Sequence, residues 1–357
     1  MFDKATIKDV KVKNQVVLVR TDYNVPLRDG QVADDLRIRA SLPTLEYLIK
    51  QGAAKIIVIS HLGRPEGKDK SLSLKPVAEH LQSLLPAAKV AFADDVSGPD
   101  VEFALEDLPK GGILVLENLR FFSGEESNSE EFAREIVDST HASIFVQDGF
   151  AVLHRAHAST AAIADLLPAY AGLLVEKEIK TLGKTLNDPA RPFAFVLGGA
   201  KVEDKQPLID KFANIADQII IGGKIAADGY TSDNDKIYVA NEDFDENSEG
   251  KKLDLGPLST HQVLEKIKGA KTVLWNGVLG YAEDPAYATS STALAQYLGQ
   301  HPEVTSVICG GDTTAFVHHL RTEHPDLEFS LISTGGGAAL QLLAGGELPG
   351  LDVILDK

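Results

Sequence analysis

The chain has 357 residues, more than one hydrophobic core usually serves, and this length favours two domains of about 150 to 200 residues. Hydrophobic residues make up 44% of the chain, enough for packed cores and unlike the composition of a disordered protein. The formal net charge of −17 argues against general nucleic-acid binding, although a local basic site remains compatible with it.

Cysteine content and the N-terminus bear on the cellular compartment. Cys309 is the only cysteine, so disulfides and cysteine-rich metal sites are excluded, and a reducing compartment is favoured. No apolar run approaches the ~18 residues of a membrane span, and the first ten residues, MFDKATIKDV, lack the apolar core of a signal peptide. We therefore expect a cytoplasmic protein that is neither secreted nor inserted in a membrane.

In the first half, strands alternate with helices. A helix is predicted over LRIRASLPTLEYLIKQG, with Pro43 kinking or interrupting it and Gly52 closing it, and Ser73 is predicted to cap the next helix. The predicted strands are KNQVVLVR, AKIIVIS, KVAFADD, GILVLENLRF and SIFVQDGF. After the fourth strand, SGEESNSEE is predicted to be a polar loop, followed by a helix near FAREIVDST.

The second half repeats this design after a connecting helix over 172–188, which the 4, 3, 4 spacing of apolar residues predicts. Its predicted strands are PFAFVL, DQIIIGG, KIYVA, KTVLWNG, TSVICGGD and FSLISTGGG. Only 241–252, NEDFDENSEGKK, is predicted to be a solvated acidic loop.

The predicted fold class is therefore α/β. Alternating strands and helices specify parallel sheets covered on both faces. We expect two doubly wound, Rossmann-like domains joined by a helix, with a cleft between them: an N-terminal domain at 1–171, the connecting helix at 172–188, a C-terminal domain at 189–344 and a tail at 345–357.

The segment 192–205, PFAFVLGGAKVEDK, places a glycine turn and Lys201 between a buried strand and a helix. A glycine turn lets backbone N–H groups approach an anion, a helix N-terminus favours negative charge, and a lysine adds a point charge. This pattern predicts a phosphate cradle, although it is not a Walker A loop. The alternative is an ordinary strand-to-helix turn with a solvated lysine.

Ligands of open α/β sheets bind beyond the carboxyl ends of the strands, where the two halves carry different residues. The first half has arginines and histidines there, which suit a small, multiply charged anion. These residues are Arg20, Arg64, Arg120, Arg155, His61, His154 and His157. Some arginines could instead pair with Asp22, Asp34, Asp35 or Asp148 as structural salt bridges, and His157 is better explained as a satisfied core residue.

The second half has glycines at its strand ends, with Lys201, Lys205 and Asp312. Glycines with lysine and one acid suit a nucleotide phosphate tail and its magnesium ion. An anionic metabolite in one half and a nucleotide in the other predict phosphoryl transfer. A nicotinamide-dependent dehydrogenase would need a G-x-G-x-x-G fingerprint after the first strand, and the chain has none.

At this level of detail the chain resembles the phosphoglycerate kinases. The resemblance spans nearly the whole chain and is carried by RTDYNVP (20–26), DDLRIRASLPT (34–44), SHLGRP (60–65), ENLRF (117–121), HRAHAS (154–159), EKEIKTLGK (176–184), LGGAKVEDK (197–205), LDLGP (253–257), TVLWNG (272–277), GGDTTA (310–315), STGGGA (333–338) and LPGLD (348–352). It implies reversible phosphoryl transfer from 1,3-bisphosphoglycerate to ADP, giving 3-phosphoglycerate and ATP, with magnesium as cofactor. Nothing in the sequence suggests an interface, so we expect a monomer.

The resemblance also implies site residues. Those that would hold the triose substrate are Asp22, Tyr23, Asn24, Arg37, His61, Leu62, Gly63, Arg64, Arg120 and Arg155. Those that would hold the nucleotide are Gly199, Ala200, Lys201, Lys205, Asn276, Glu283, Gly310, Gly311, Asp312 and Thr313, with Asp312 toward magnesium and Glu283 toward the ribose. The groups that would act at the transferred phosphate are Arg37, Lys201, Gly311 and Gly335, the last at the start of a helix opened by Gly335 to Gly337.

The chain departs from the family pattern on the adenosine side. Lys224 replaces the third glycine of a glycine triplet, Val278 replaces a proline, and the stretch from Tyr230 to Asp254 is short. Bulkier residues also precede His154. These departures leave base preference open and motivate one alternative, a catalytically weak homologue that acts as a binding or scaffold protein.

Overall fold

The structure is a computed structural model that describes residues 3–200, 202 and 205–357. The described residues divide into two compact units, one holding 3–179 with 347–357 and the other holding 180–346. We call them the first and the second unit.

The first unit is built on a sheet of six parallel strands in the order β5-β6-β4-β1-β7-β8. Its elements in chain order are β1 (Val16–Arg20), β2 (Leu27–Arg28), β3 (Gln31–Val32), α1 (Leu36–Lys50), β4 (Lys55–Ile59), α2 (Lys75–Leu84), β5 (Val90–Phe92), α3 (Pro99–Glu106), β6 (Gly112–Val115), α4 (Ser123–Glu126), α5 (Glu130–Thr140), β7 (Ile144–Gln147), α6 (Ile163–Leu166) and β8 (Ala169–Ala171). Strands β2 and β3 form a separate antiparallel hairpin.

Both faces of this sheet are buried, as the apolar strands predict. Val17 and Val19 of β1 belong to a core with α1 and α2, whereas Leu18 belongs to a core with α3 and α5 on the opposite face. Alternate residues of a strand point to opposite faces, so one short apolar run supplies both cores.

Helix α7 (Leu173–Asn187) follows, as predicted, and the division between the units falls within it, between Ile179 and Lys180. The remaining elements are β9 (Phe193–Leu197), α8 (Gln206–Ile215), β10 (Gln218–Ile221), α9 (Gly223–Ala227), β11 (Ile237–Val239), β12 (Phe244–Glu246), β13 (Lys252–Leu255), α10 (Pro257–Ile267), β14 (Thr272–Asn276), α11 (Thr289–Gly299), β15 (Thr305–Cys309), α12 (Gly311–Glu323), β16 (Leu331–Ile332), α13 (Gly337–Ala344) and α14 (Pro349–Asp352). The last of these, α14, belongs to the first unit.

The second unit has a parallel sheet of order β11-β10-β9-β14-β15-β16, so its strands taken in sequence run 3-2-1-4-5-6. This is the strand order of dinucleotide-binding α/β domains. Phe193 and Phe195 of β9 pack on Phe212 of α8 on one face, and Trp275 of β14 is buried in a core with α10 and α11 on the other. The predicted fold class, α/β with two doubly wound parallel sheets, is confirmed.

Two local predictions need correction. Of the two effects expected of Pro43, interruption does not occur, because α1 continues through it from Leu36 to Lys50. The stretch 241–252 is a loop only in part, because β12 lies within it and pairs with β13 as an antiparallel hairpin, and the exposed residues 248–251 belong to the turn. Ser73 does bind the start of its helix, since its hydroxyl accepts a hydrogen bond from the Lys75 N–H at 3.2 Å.

Candidate functional site

Each sheet has one position where the chain reverses its direction of winding. In the first unit it lies between β1 and β7, and in the second between β9 and β14. Such switch points leave a crevice beyond the carboxyl ends of the strands, where open α/β sheets bind ligands. The residues singled out from the sequence follow these strands and their neighbours, so two candidate sites can be examined separately.

The first site begins with the loop after β1, which holds Arg37 of α1. The Arg37 Nη1 group lies 2.8 Å from the Asp22 carboxylate and donates a hydrogen bond to the Asn24 carbonyl at 2.8 Å. The Asn24 side-chain oxygen accepts from the Gly63 N–H, also at 2.8 Å. Because the Arg37 side chain stays 28% exposed, its position is fixed while part of its guanidinium can still reach a ligand.

His61 lies among four arginines at this edge. Its side chain is 4% exposed, and burial together with the charges of Arg20, Arg120, Arg155 and Arg37 holds its pKa well below the usual range. His61 is therefore neutral at pH 7, and the positive charge of the site resides on the arginines. A neutral imidazole still donates one hydrogen bond to an anion.

The outer arginines are only partly engaged by the protein. Arg120 donates to the Gly63 carbonyl at 2.6 Å, and burial lowers its pKa. Arg155 donates through Nε to His154 Nε2 at 3.1 Å, leaving its two terminal nitrogens unbound by any described residue. Arg64 is exposed and has no ion pair or hydrogen bond within the described part of the chain. Arg120 is more fully engaged, since its side chain is 6% exposed and its Nε lies 3.1 Å from the Glu126 carboxylate. The guanidiniums of Arg64 and Arg155 are available to bind a multiply charged anion.

A buried ion pair supports this edge, and one of its members was missed in the sequence. Arg20 is fully buried and lies 3.8 Å from Glu125, whose carboxylate accepts from the Ser159 hydroxyl at 2.6 Å and the Ser159 N–H at 3.1 Å. Glu125 belongs to α4, within the stretch wrongly predicted to be only a polar loop. His157 Nδ1 lies 3.7 Å from the same carboxylate, which agrees with its interpretation as a core residue. Arg20 is therefore a structural arginine.

Two predicted substrate contacts have side chains turned away from the crevice. Tyr23 is fully buried and its hydroxyl is 2.9 Å from that of Ser41, while Leu62 packs in the core shared by α1 and α2. Only the backbone of these two positions can face a ligand.

Asp148, at the end of β7, faces the start of α7. Its Oδ1 accepts from the Leu174 N–H at 3.0 Å, and Gly172 is required beside it because a Cβ there would lie 2.0 Å from this oxygen. No arginine pairs with it among the described residues, contrary to one alternative considered for the arginines. Burial raises the pKa of Asp148 to about 8.

This raised pKa predicts a loss of stability as pH rises. An unfolded aspartate titrates near pH ~4, so between that value and about 8 the folded state binds one more proton than the unfolded state. The associated stabilisation is present in full below the unfolded pKa and disappears as pH rises through about 8. Asp148→Asn, which cannot titrate, is expected to lose less free energy of unfolding than the wild type between pH 5 and pH 9 in urea titrations. Parallel profiles would contradict this, and Asp138→Asn on the exposed side of α5 is the control.

At the second site, β9 and β14 end in glycines that lie against each other. A Cβ at Gly198 would lie 2.2 Å from the Val278 carbonyl oxygen, and one at Gly277, where φ is +96°, would lie 2.3 Å from Gly198. Side chains are therefore excluded from this switch point. With no side chain in the way, a ligand can come close to the backbone of these glycines.

Polar groups converge beside these glycines. The Lys205 ammonium donates to the Asn276 side-chain oxygen, and Thr313 Oγ1 accepts from the Gly277 N–H at 2.8 Å. The Asn276 amide nitrogen is buried with no hydrogen-bond partner among the described residues. Gly310, with φ of +93°, precedes α12, whose first turn holds Gly311 and Asp312. An unpaired buried donor, a lysine and a helix N-terminus form a site suited to phosphate.

Lys201 lies outside the described residues, so its predicted place in the phosphate cradle stays a prediction. The predicted glycine turn at Gly335 to Gly337 lies within the described residues. Helix α13 begins at Gly337, and Gly335 and Gly336 form the turn before it. The Gly335 N–H already donates to Ser333 Oγ at 3.1 Å.

A cavity of about 340 Å³ adjoins the second site, a volume that suits a nucleoside. Its apolar wall includes Phe244 of the β12–β13 hairpin, Val278 and Leu279. The predicted nucleotide contacts that line it are Gly199, Ala200, Glu283 and Asp312. Its other charged lining residues are Lys224, Lys251, Lys252 and Asp254.

Two features are absent from the described part of the chain. It contains no cluster of three or more His, Cys, Asp or Glu side chains that could by themselves hold a metal ion. None of its helices is long and apolar enough to cross a membrane.

Fold and side-chain chemistry together define a two-unit α/β protein with arginines at one switch point and glycines, a lysine and a helix N-terminus at the other. Comparison with known proteins specifies this class further. The family model of phosphoglycerate kinase matches residues 7–239 and 227–346. The chain belongs to the phosphoglycerate kinase family and is, as a member of it, a phosphotransferase.

Individual phosphoglycerate kinases match this chain over almost its full length. A phosphoglycerate kinase of Dictyoglomus turgidum is 38% identical over 399 aligned positions, which cover 98% of each chain. Among solved structures, phosphoglycerate kinase from Pyrococcus horikoshii superimposes with a TM-score of 0.86 at 26% identity, and that from Coxiella burnetii with 0.76 at 29%, each covering 98% of both chains.

These matches also reveal a difference in length. The alignment of 399 positions exceeds the 357 residues of this chain, so the Dictyoglomus protein carries residues that this chain lacks. The family model matches in two segments that overlap at 227–239, and this overlap includes the start of the stretch from Tyr230 to Asp254 that is short for the family. In the structure, only the five-residue helix α9 and a loop connect β10 to β11 there.

Proposed function

We propose that this protein transfers a phosphoryl group reversibly between 1,3-bisphosphoglycerate and ADP, giving 3-phosphoglycerate and ATP in glycolysis. The observation that carries the proposal is the chemical difference between the two switch points. One has arginines whose guanidiniums are only partly engaged by the described residues. The other has side-chain-free backbone, a buried amide without a partner among those residues and an adjoining nucleoside-sized cavity.

The first unit would bind the triose. Arg64, Arg120 and Arg155 supply guanidiniums for its phosphate and carboxylate, and neutral His61 donates a hydrogen bond. Asp22, Asn24 and the backbone at Tyr23, Leu62 and Gly63 would contact its hydroxyl and carboxyl groups. Arg37, held between Asp22 and Asn24, would lie beside the transferred phosphoryl group.

The second unit would bind the nucleotide. Gly199, Ala200, Lys201, Lys205 and Asn276 would hold its phosphates with the N-terminus of α12, where Gly310, Gly311 and Thr313 lie, and Glu283 would accept from the ribose. Asp312 fits magnesium, because this ion is commonly bound by one or two carboxylates together with substrate phosphates rather than by a protein cage. Magnesium, when bound, would neutralise charge on the nucleotide phosphates.

Catalysis would rest on position and charge. The acceptor oxygen is already ionised, so the protein needs no general base, and in-line transfer is accelerated by holding the reactants together and stabilising the equatorial oxygens. Arg37, Lys201 and the N–H groups near Gly311 and Gly335 would supply this stabilisation. Hydrolysis is avoided if water is excluded when both ligands are bound.

The test is a coupled assay of the purified protein with 3-phosphoglycerate, ATP and magnesium. We expect turnover that chelation of magnesium abolishes, and a fall of about a hundredfold or more in Lys201→Ala. Lys268→Ala is the matched control, because Lys268 is exposed and its ammonium pairs with the exposed Glu265 at the end of α10. Absence of turnover by a folded protein that binds 3-phosphoglycerate would reject the proposal and favour the binding-protein alternative.

Three further properties belong to the proposal. We place the protein in the cytoplasm and expect a monomer that binds neither nucleic acid nor membranes. Light scattering of the purified protein at its working concentration checks the monomer, since a dimer doubles the measured mass.

A further inference from the structure

The cavity of the second unit is lined by an unusual set of charges. Gly199, Ala200 and Asp312 follow β9 and β15 and define the phosphate end. Helix α9 adjoins the apolar wall of the cavity, because a Cβ at Gly222 would lie 2.7 Å from Leu279 and one at Gly223 would lie 2.8 Å from the Val278 carbonyl oxygen. The charged lining residues of α9 and of the β12–β13 hairpin include three lysines: Lys224, Lys251 and Lys252. In a chain with a net charge of −17, three cations around one cavity require an explanation.

Each of the three acids that line the same cavity is bound or assigned elsewhere, and a base would lie against the apolar wall that α9 adjoins. Asp254 is buried, and its oxygens accept from the Leu255 N–H at 2.9 Å, the Ser290 N–H at 3.1 Å and the Ser290 hydroxyl. Asp312 lies at the phosphate end, and Glu283 is assigned to the ribose in the proposed function. A base edge would therefore meet hydrogen-bond donors.

Lys224 is the lysine whose ammonium group can most easily exchange its present partner for a ligand. Its ammonium lies 2.6 and 2.7 Å from the two oxygens of Asp228, one turn later on α9, and both side chains are more than half exposed. Exposed pairs at this spacing contribute only a few tenths of a kcal/mol, so a ligand can replace Asp228 as the partner. Lys252, by contrast, is held 4.4 Å from the centre of the Phe244 ring.

The purines differ at the edge that such a donor would contact. Guanine and hypoxanthine present two neighbouring acceptors, N7 and O6, whereas adenine presents N7 beside an amino group that is itself a donor. An ammonium group can donate to both atoms of a 6-oxopurine but only to one of adenine. We infer that Lys224 shifts the selectivity of this cavity toward 6-oxopurine nucleotides; the inference rests on the proposed nucleotide site.

The experiment compares kcat/KM for GTP, ITP and ATP in the wild type and in Lys224→Met, which keeps the stem and removes the charge. The ratio of GTP to ATP is expected to fall about tenfold in the variant. ITP should follow GTP, because it shares O6 and lacks the 2-amino group. Lys224→Gly should shift the ratio in the same direction, and thermal melting checks that both variants fold.

Lys251→Met removes one positive charge from the same cavity and should change kcat/KM for all three nucleotides in the same proportion. An unchanged GTP to ATP ratio in Lys224→Met, or an equal change in Lys251→Met, would overturn the inference. Dissociation constants of GDP and ADP, measured by calorimetry, separate it from the proposed function. If no nucleotide supports turnover, the proposed reaction fails, while the ratio of these constants still decides the role of Lys224.

Discussion

Replacement of Arg37 by alanine is expected to lower kcat by about a thousandfold or more, because a guanidinium that contacts the phosphoryl group being transferred commonly raises kcat by such a factor. In the structure this guanidinium is fixed at 2.8 Å from both the Asp22 carboxylate and the Asn24 carbonyl. It therefore needs little reorganisation to meet the developing charge. Steady-state kinetics with 3-phosphoglycerate and ATP would measure the loss.

Arg39→Ala is the matched control for this experiment. Arg39 lies on the same helix, but its side chain is 55% exposed and pairs with Asp35 within one turn. Its loss should leave kcat within about twofold, since exposed pairs contribute little. Arg37→Lys should recover only a small part of the activity, because an ammonium cannot reproduce a planar fork that serves two protein acceptors and a phosphate. Comparable activity of Arg37→Ala and Arg39→Ala would remove Arg37 from the reaction.

The sequence was most informative where a local pattern determines the structure. Five apolar residues followed by glycines sufficed to predict β9 and the turn after it, since a strand buried on both faces needs such a run and an abrupt turn needs glycine. Similarly, polar residues after β1 and β4 indicated an anion site, because parallel strands bring their carboxyl ends to one edge. The α/β class and the two sites followed from these local rules.

Other features depend on contacts between distant segments and left no local signal. Glu125 is one of two adjacent glutamates in a polar stretch, and only the fold shows that it is buried against Arg20 while Glu126 is 61% exposed. Asp148 had been considered a salt-bridge partner for an arginine, yet it binds the start of α7. The β12–β13 hairpin was also missed, because its charged residues suggested a solvated loop.

The second large effect is expected from Glu125→Ala. Arg20 is 1% exposed, and Glu125 is the carboxylate paired with it, so the substitution leaves a buried cation without that partner. Breaking one side of a buried ion pair costs about 3 to 5 kcal/mol. Denaturant unfolding at neutral pH should show a decrease of that order in the free energy of unfolding, together with weaker binding of 3-phosphoglycerate, since Ser159 and the HRAHAS loop lose their support.

Glu130→Ala is the control five residues further along the chain, because its side chain is 65% exposed and pairs with the exposed Arg134, so its effect should be below about 1 kcal/mol. The pH dependence provides a second check. Burial alone would raise the pKa of Glu125, but nearby His157, the charge of Arg20 and the hydrogen bonds from Ser159 lower it overall. Its stabilisation is then present above the unfolded pKa of about 4.3 and lost as pH falls through the lower folded value. If Glu125→Ala kept the wild-type acid sensitivity and stability, Arg20 would have to be neutralised by some other group, and the ion pair would not support the arginine site.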